Sequence, residues 1–183
     1  MKQRYAVLVL AVLAGCTQQP SPVPAAAQPP AATPAAVAGL DADWQGLGPL
    51  QLGTSAEQLH QSWHGALEGE AVADGGCYWL TPVDQPDVAL MVEDDTFARY
   101  DVEGEAVTAP GGGRNGMTLT QLQQHYPVAE VAPATAGSDG SQLRVPAADG
   151  SAAVLVFELG TDGHAMRWRV GQLPQAGQAT YCQ

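Results

Sequence analysis

Lysine is all but missing from this chain of 183 residues: it occurs once, at position 2. Seven cations stand against 19 acidic residues, for a formal charge of −12. A surface so poor in basic groups repels phosphate backbones and anionic lipid headgroups, which speaks against any nucleic-acid partner. Long apolar runs are missing too. Residues 5–13 form a short one, well below the ~20 residues a spanning helix needs. Cysteine is scarce, at three residues with no Cys-x-x-Cys spacing. There is no His-Glu-x-x-His, no nucleophile elbow with a usable triad, and no glycine loop ending in Lys-Ser/Thr. No enzyme activity, metal or cofactor is therefore expected.

What is present begins at the amino end. Lys2 and Arg4 precede the apolar run, and small residues lead into Cys16. That layout is a secretory signal over residues 1–15. Its ending, Leu13-Ala14-Gly15-Cys16, resembles the lipobox of bacterial lipoproteins. The resemblance implies that Cys16 is lipidated and becomes the mature amino terminus, tied to the membrane by several acyl chains. The competing reading is an ordinary cleaved signal with a leftover thiol. Thr17, where an Asp would retain such a protein at the inner membrane, implies the outer membrane, with the body facing the periplasm. The mature chain then carries five arginines, no lysine and 19 acids, a formal −14. A partner with a basic patch is steered favourably toward such a body.

Residues 17–38 hold six prolines and eight alanines without a charge. They cannot build a core and read, within 16–43, as the lipidated cysteine plus a disordered tether. In polyproline geometry, at ~3.1 Å per residue, the tether reaches about 70 Å. Cys77 and Cys182 remain, and in an oxidising compartment they are expected to pair. Reactive thiols or metal ligands are the other reading.

The body, residues 44–183, carries a faint repeat at an offset of 63: residues 53–63 lie over 116–126. Gly53, Gln58, Leu59 and Gln61 recur identically. Ser55 and Thr118 suit N-caps, and Leu59/Trp63 and Leu122/Tyr126 sit four apart on one helical face. Strands are predicted over 77–81, 88–93, 97–103, 142–145, 153–159 and 165–171, with turns at 94–95 and 160–163. The expectation is an α+β fold. Two tandem helix-strand-strand-strand repeats, about 44–108 and 109–183, form one six-stranded antiparallel sheet or two smaller ones, with helices packed on one face. The other face is left to water or a partner.

The tandem pattern resembles the beta-lactamase inhibitor proteins and the small lipoprotein of the outer-membrane barrel-assembly machinery, which implies protein-binding sheets. Further stretches are similar to a group of small proteobacterial lipoproteins often labelled lectins. They are Cys77-Tyr78-Trp79-Leu80-Thr81-Pro82, Ala109 to Gly113 with Gly116-Met117, Val156-Phe157-Glu158, Arg167 to Gly171, Pro174 and Cys182. The chain departs from that group in ending Ala179-Thr180-Tyr181-Cys182.

Among candidate sites, Glu57, His60 and His64 form a helical stripe that reads as a solvated face before a metal site. Glu93, Asp94 and Asp95 read as turn acids before a catalytic or calcium cluster. Residues 111–116 read as a flexible joint, and 137–141 as a turn-rich loop. Tyr78 and Trp79 point to opposite sheet faces; the leading reading is burial of both in the core or at an edge, and the other is that one is core and the second is exposed to stack on a sugar or anchor a protein. Trp168 reads as core. Arg99, Arg167 and Arg169 share a face with Asp101 and Glu103, as a solvated charge ladder or a recognition surface. The expected function is a non-catalytic, lipid-anchored periplasmic module that binds an envelope protein, such as a cationic hydrolase it inhibits. The alternative is a lectin-like carbohydrate-binding lipoprotein. Cells fed labelled palmitate should incorporate label into the wild-type chain and none into Cys16→Ser; label in both would remove the anchor.

Overall fold

The structure is a computed structural model that describes residues 40–72, 76–134, 139–178 and 182. The signal, Cys16, the tether as far as residue 39 and positions 137–138 of the turn-rich loop lie outside the described residues. The first strands are two residues long: β1 (Ala42–Asp43), β2 (Gly46–Leu47) and β3 (Leu50–Gln51), paired as a small antiparallel sheet. Helix α1 (Ala56–Ser62) follows, then β4 (Leu67–Glu68), β5 (Cys77–Pro82), β6 (Val88–Glu93) and β7 (Thr96–Val102). Helix α2 (Leu119–His125) precedes β8 (Glu130–Pro133), β9 (Ser141–Pro146), β10 (Ala153–Leu159) and β11 (Ala165–Gln172). Strands β4 to β11 make one antiparallel sheet in the order β4-β5-β6-β7-β11-β10-β9-β8. The two sequence halves thus meet at β7 and β11, and each runs outward from that seam.

This architecture corrects the expected α+β class: the protein is mostly β. Both helices stop after seven residues. Each starts with a capping box, Ser55 with Gln58 and Thr118 with Gln121, and ends at an aromatic C-cap, Trp63 or Tyr126. Two turns bury Leu59 and Leu122 but cannot cover an eight-stranded sheet. The helices therefore share that face with Trp44, Leu47 and Leu50 of the small sheet and with Val107 and Ala109 of the connecting loop. Beneath them lie Leu80, Leu90, Phe97, Tyr100, Leu155, Phe157, Trp168 and Val170. Trp168 stands edge-on to Tyr100, with centroids 5.8 Å apart.

Local bonds tie each helix entrance to the hairpin that follows it. Phe97 N–H donates to Thr54 O and Gly53 N–H to Phe97 O, both at 2.8 Å. Ala165 and Gly116 repeat this in the second half, through Ala165 N–H to Met117 O and Gly116 N–H to Ala165 O. The first hairpin turns at Asp94 and Asp95, both with positive φ, as a tight two-residue loop demands. Tyr100 Oη donates to Asp43 O at 2.6 Å and so pins β1 to the centre of the large sheet. Burial pushes the Tyr100 phenol far above its ordinary range.

The glycine stretch before α2 is packed and does not serve as a loose joint. Tyr126 Oη accepts from Gly113 N–H at 2.8 Å and donates to Pro110 O at 2.7 Å. A Cβ on Gly113 would come within 2.6 Å of Phe157 and 2.8 Å of Tyr126. Burial pushes the Tyr126 phenol up to about 12.

Two outcomes follow for Tyr126. Replacement by Phe orphans a buried N–H and carbonyl and should cost about 1–3 kcal/mol in urea denaturation. The raised phenol also sets a pH window. Above about pH 10 the unfolded chain loses the phenolic proton while the folded chain keeps it, so stability falls as pH climbs toward about 12. Tyr126→Phe should decline less steeply across that window in denaturation at stepped pH, and an identical slope would refute the linkage.

Candidate functional site

The candidate site is the second face of the large sheet, opposite the core. Alternation along β5 places Cys77, Trp79 and Thr81 there, and register carries the same face across Ala89 and Met91 of β6. On β7 and β11 it presents Arg99, Asp101, Arg167 and Arg169, with Asp101 directly opposite Arg169 and Arg99 opposite Gly171. Glu158 of β10 faces Arg167. Gly171 leaves room for this crowding: a Cβ there would sit 2.9 Å from Arg99 Cβ and 2.8 Å from Ala98 O.

The arginines are held in two groups of ion pairs, Arg99 with Asp101, and Arg167 and Arg169 with Glu158 and Glu103. Arg99 grips Asp101 through two parallel bonds, Nε to Oδ1 at 2.5 Å and Nη2 to Oδ2 at 2.7 Å. Arg169 Nη1 bonds Glu158 Oε1 at 2.5 Å, and Arg167 Nε meets Glu158 Oε2 at 2.9 Å. Arg167 also reaches Glu103 at 3.4 Å. Burial lowers the Arg169 guanidinium from its usual range, partly offset by the Glu158 bond.

A carboxyl-terminal strap seals one end of this face. After β11 the chain turns through Leu173-Pro174 into a single 3-10 turn, Gln175–Gly177, laid across the arginines. Arg99 Nη1 donates to the carbonyls of Gln175 (2.7 Å) and Gln178 (2.8 Å), and Arg169 Nε donates to that of Ala176 (2.7 Å). Gln175 Nε2 donates to Glu93 Oε2 at 2.6 Å. A disulfide joins Cys182 to Cys77, with Cα atoms 4.9 Å apart, and fixes the strap to β5.

The other end is open. A cleft of about 300 Å³ is lined by Trp79, Thr81, Asp87, Asp101, Glu103 and Arg167, among others. The guanidinium of Arg99 lies 5.2 Å from the centre of the Trp79 ring.

This placement revises the expected binding surface residue by residue. Trp79 and Arg167 are half-buried and line the cleft. Arg99 and Arg169 are 1% and 0% exposed, so neither can touch a partner while the strap is in place. They are neither a solvated ladder nor an outer surface. Tyr78 is buried in the core. His60 is exposed on α1 and His64 lies just beyond it; among the described residues no three His, Cys, Asp or Glu groups are set to hold a metal ion. Sequence reasoning missed Asp87, Glu158 and the strap. Two signals pointed there: the 160–163 turn sets Glu158 across from Arg167, and a Cys77–Cys182 bridge draws the tail to the face that Cys77 shares with Trp79.

No protein-family profile and no curated protein matches this sequence. Among solved structures it is similar to an extracellular protein containing an SCP domain from Bacillus anthracis str. Ames. That likeness has 16% identity and a TM-score of 0.50, over 72% of this chain and 47% of the other. This chain thus spans about half the length of that protein, and at this identity the likeness is one of fold alone. It is also similar to the uncharacterized protein yfeY from Escherichia coli, at 15% identity and a TM-score of 0.49, over 72% of this chain and 99% of that one.

Removing one member of a buried ion pair strands the other. Asp101→Ala should therefore cost about 3–5 kcal/mol in urea denaturation of the oxidised protein. Arg99→Met with Asp101→Leu should recover part of that loss, because it removes both charges but leaves the Gln175 and Gln178 carbonyls without their donor. A single-variant cost below about 1 kcal/mol would show that the pair contributes little.

Proposed function

We propose that this chain is a lipoprotein, anchored through Cys16 in the outer membrane and facing the periplasm, that acts as a non-catalytic binding module for an envelope protein. The partner offers a basic patch, as a cationic hydrolase under inhibition would. The observation that carries this reading is the open cleft. It sets Asp87, Asp101 and Glu103 against Arg167 beside an aromatic ring, in a mature chain of formal charge −14. With Asp101 and Glu103 matched by arginines, the exposed Asp87 at the rim and the acidic balance of the whole chain attract a lysine or arginine side chain by charge, beside the half-exposed Trp79. The proline-rich tether suits the role, because it lets an anchored body search the space around its attachment point.

A second reading is favoured by the same ring. A half-exposed Trp among carboxylates and a threonine hydroxyl is also what a sugar face and its hydroxyl groups require, which supports a lectin-like carbohydrate-binding lipoprotein.

Pull-down from detergent-solubilised envelopes separates the two. The protein reading predicts a defined basic partner, eluted by salt, whose capture falls about tenfold in Asp87→Asn with Glu103→Gln. Saturable glycan binding with no protein recovered, lost in Trp79→Ala, would replace it with the carbohydrate reading. Binding of either kind that ignores all three substitutions would remove the cleft as the site.

A further inference from the structure

The strap is bound as a ligand would be. It meets the second face through backbone carbonyls, three of them, taken by guanidinium donors at 2.7–2.8 Å. Ala176 contributes no polar side chain and is fully buried there. The charges beneath are already matched, Arg99 by Asp101 and Arg167 and Arg169 by Glu158 and Glu103. A further anion would therefore add an unmatched charge, whereas neutral carbonyl acceptors satisfy the outward donors without one. The strap is also an incomplete occupant. Arg169 Nη2, buried beneath it, has no hydrogen-bond acceptor among the described residues. Buried donors left unmet cost free energy that a better-fitting chain would recover.

We infer that Arg99 and Arg169 form a docking site for an extended peptide backbone, occupied at rest by the chain's own residues 173–178 and gated by the Cys77–Cys182 bridge. The occupant that replaces the strap is a peptide segment of a partner protein. Opening is a two-electron step. A dithiol reductant transfers two electrons and two protons to the bridge, leaving thiols at Cys77 and Cys182 and a disulfide on the reductant. Once freed at residue 182, the strap keeps its carbonyl contacts but loses the covalent link that holds them at high effective concentration. A competing peptide can then displace it. This site does not require the partner proposed for the cleft, and it would stand if that partner proved to be a glycan.

The test uses the full chain. Hydrogen exchange is followed by mass spectrometry before and after dithiothreitol, and in Cys77→Ser. Reduction should raise exchange at Gly177 and Gln178 at least tenfold while β6, β7, β10 and β11 stay protected, and reoxidation should restore it. Unchanged exchange in the strap, or loss of protection across the whole sheet, would overturn the gate. Docking is read by disulfide capture. The Cys182→Ser chain, with Cys77 free, is incubated in glutathione redox buffer with a peptide matching residues 173–183. Capture on Cys77 should fall at least tenfold when the donors are removed by Arg99→Met with Asp101→Leu. It should also fall in Arg169→Lys, which loses the Ala176 bond and keeps a charge beside Glu158. Equal capture by all three proteins would overturn the docking site.

Discussion

The second face of this sheet rests on the bidentate grip of Arg99 on Asp101 at the seam where the two halves of the chain meet. A guanidinium taken out of water is tolerable only with its charge matched and its donors used. Asp101 supplies the charge and two bonds, and the strap carbonyls accept two more from Nη1, so four of the five N–H donors are used. Several features then depend on one another. The strap must cross the seam, Gly171 must be small to admit the Arg99 stem, and Cys182 must come to rest beside Cys77. The cleft is what the strap leaves uncovered.

The two faces of the sheet differ in how they are held. The core face is apolar and closed by many modest pieces: two short helices, a three-stranded sheet and a glycine-rich loop threaded onto Tyr126. The second face is held by charge-matched pairs and one covalent bridge. Burial of apolar area is distributed and tolerates small losses, whereas a buried ion network fails sharply when one member is removed. A face of the second kind suits recognition, because its donors and acceptors are held in fixed directions.

The long strands were legible in the sequence because alternation and turn residues speak for themselves over six to eight positions. The stretches 88–93 and 153–159 read as strands at the bounds they occupy, and Asp94-Asp95 reads as the hairpin tip it is. Strands β1 to β4 were not legible, since two residues carry no period. Edge strand β8 has four residues and a proline, a faint signal at best. The fold class was misread for a related reason. Capping and the Leu59/Trp63 spacing mark a helix but do not say that two turns are too little to cover eight strands. The burial of Arg99 and Arg169 was hidden most deeply. Nothing local distinguishes an arginine facing water from one covered by a later segment, which for Arg99 lies 76 to 79 residues on and for Arg169 seven, and only the tail's route over β7 and β11 decides it.

The proposed function requires a partner to meet the second face of the large sheet. Carboxyl-directed cross-linking of the oxidised full chain to whatever it holds in intact envelopes, followed by mass spectrometry of the linked peptides, tests this directly. Links are expected at Asp87 and Glu103, at the open end of that face. Links confined to Glu57 of α1 and Glu105 of the connecting loop, on the opposite side, would contradict that requirement.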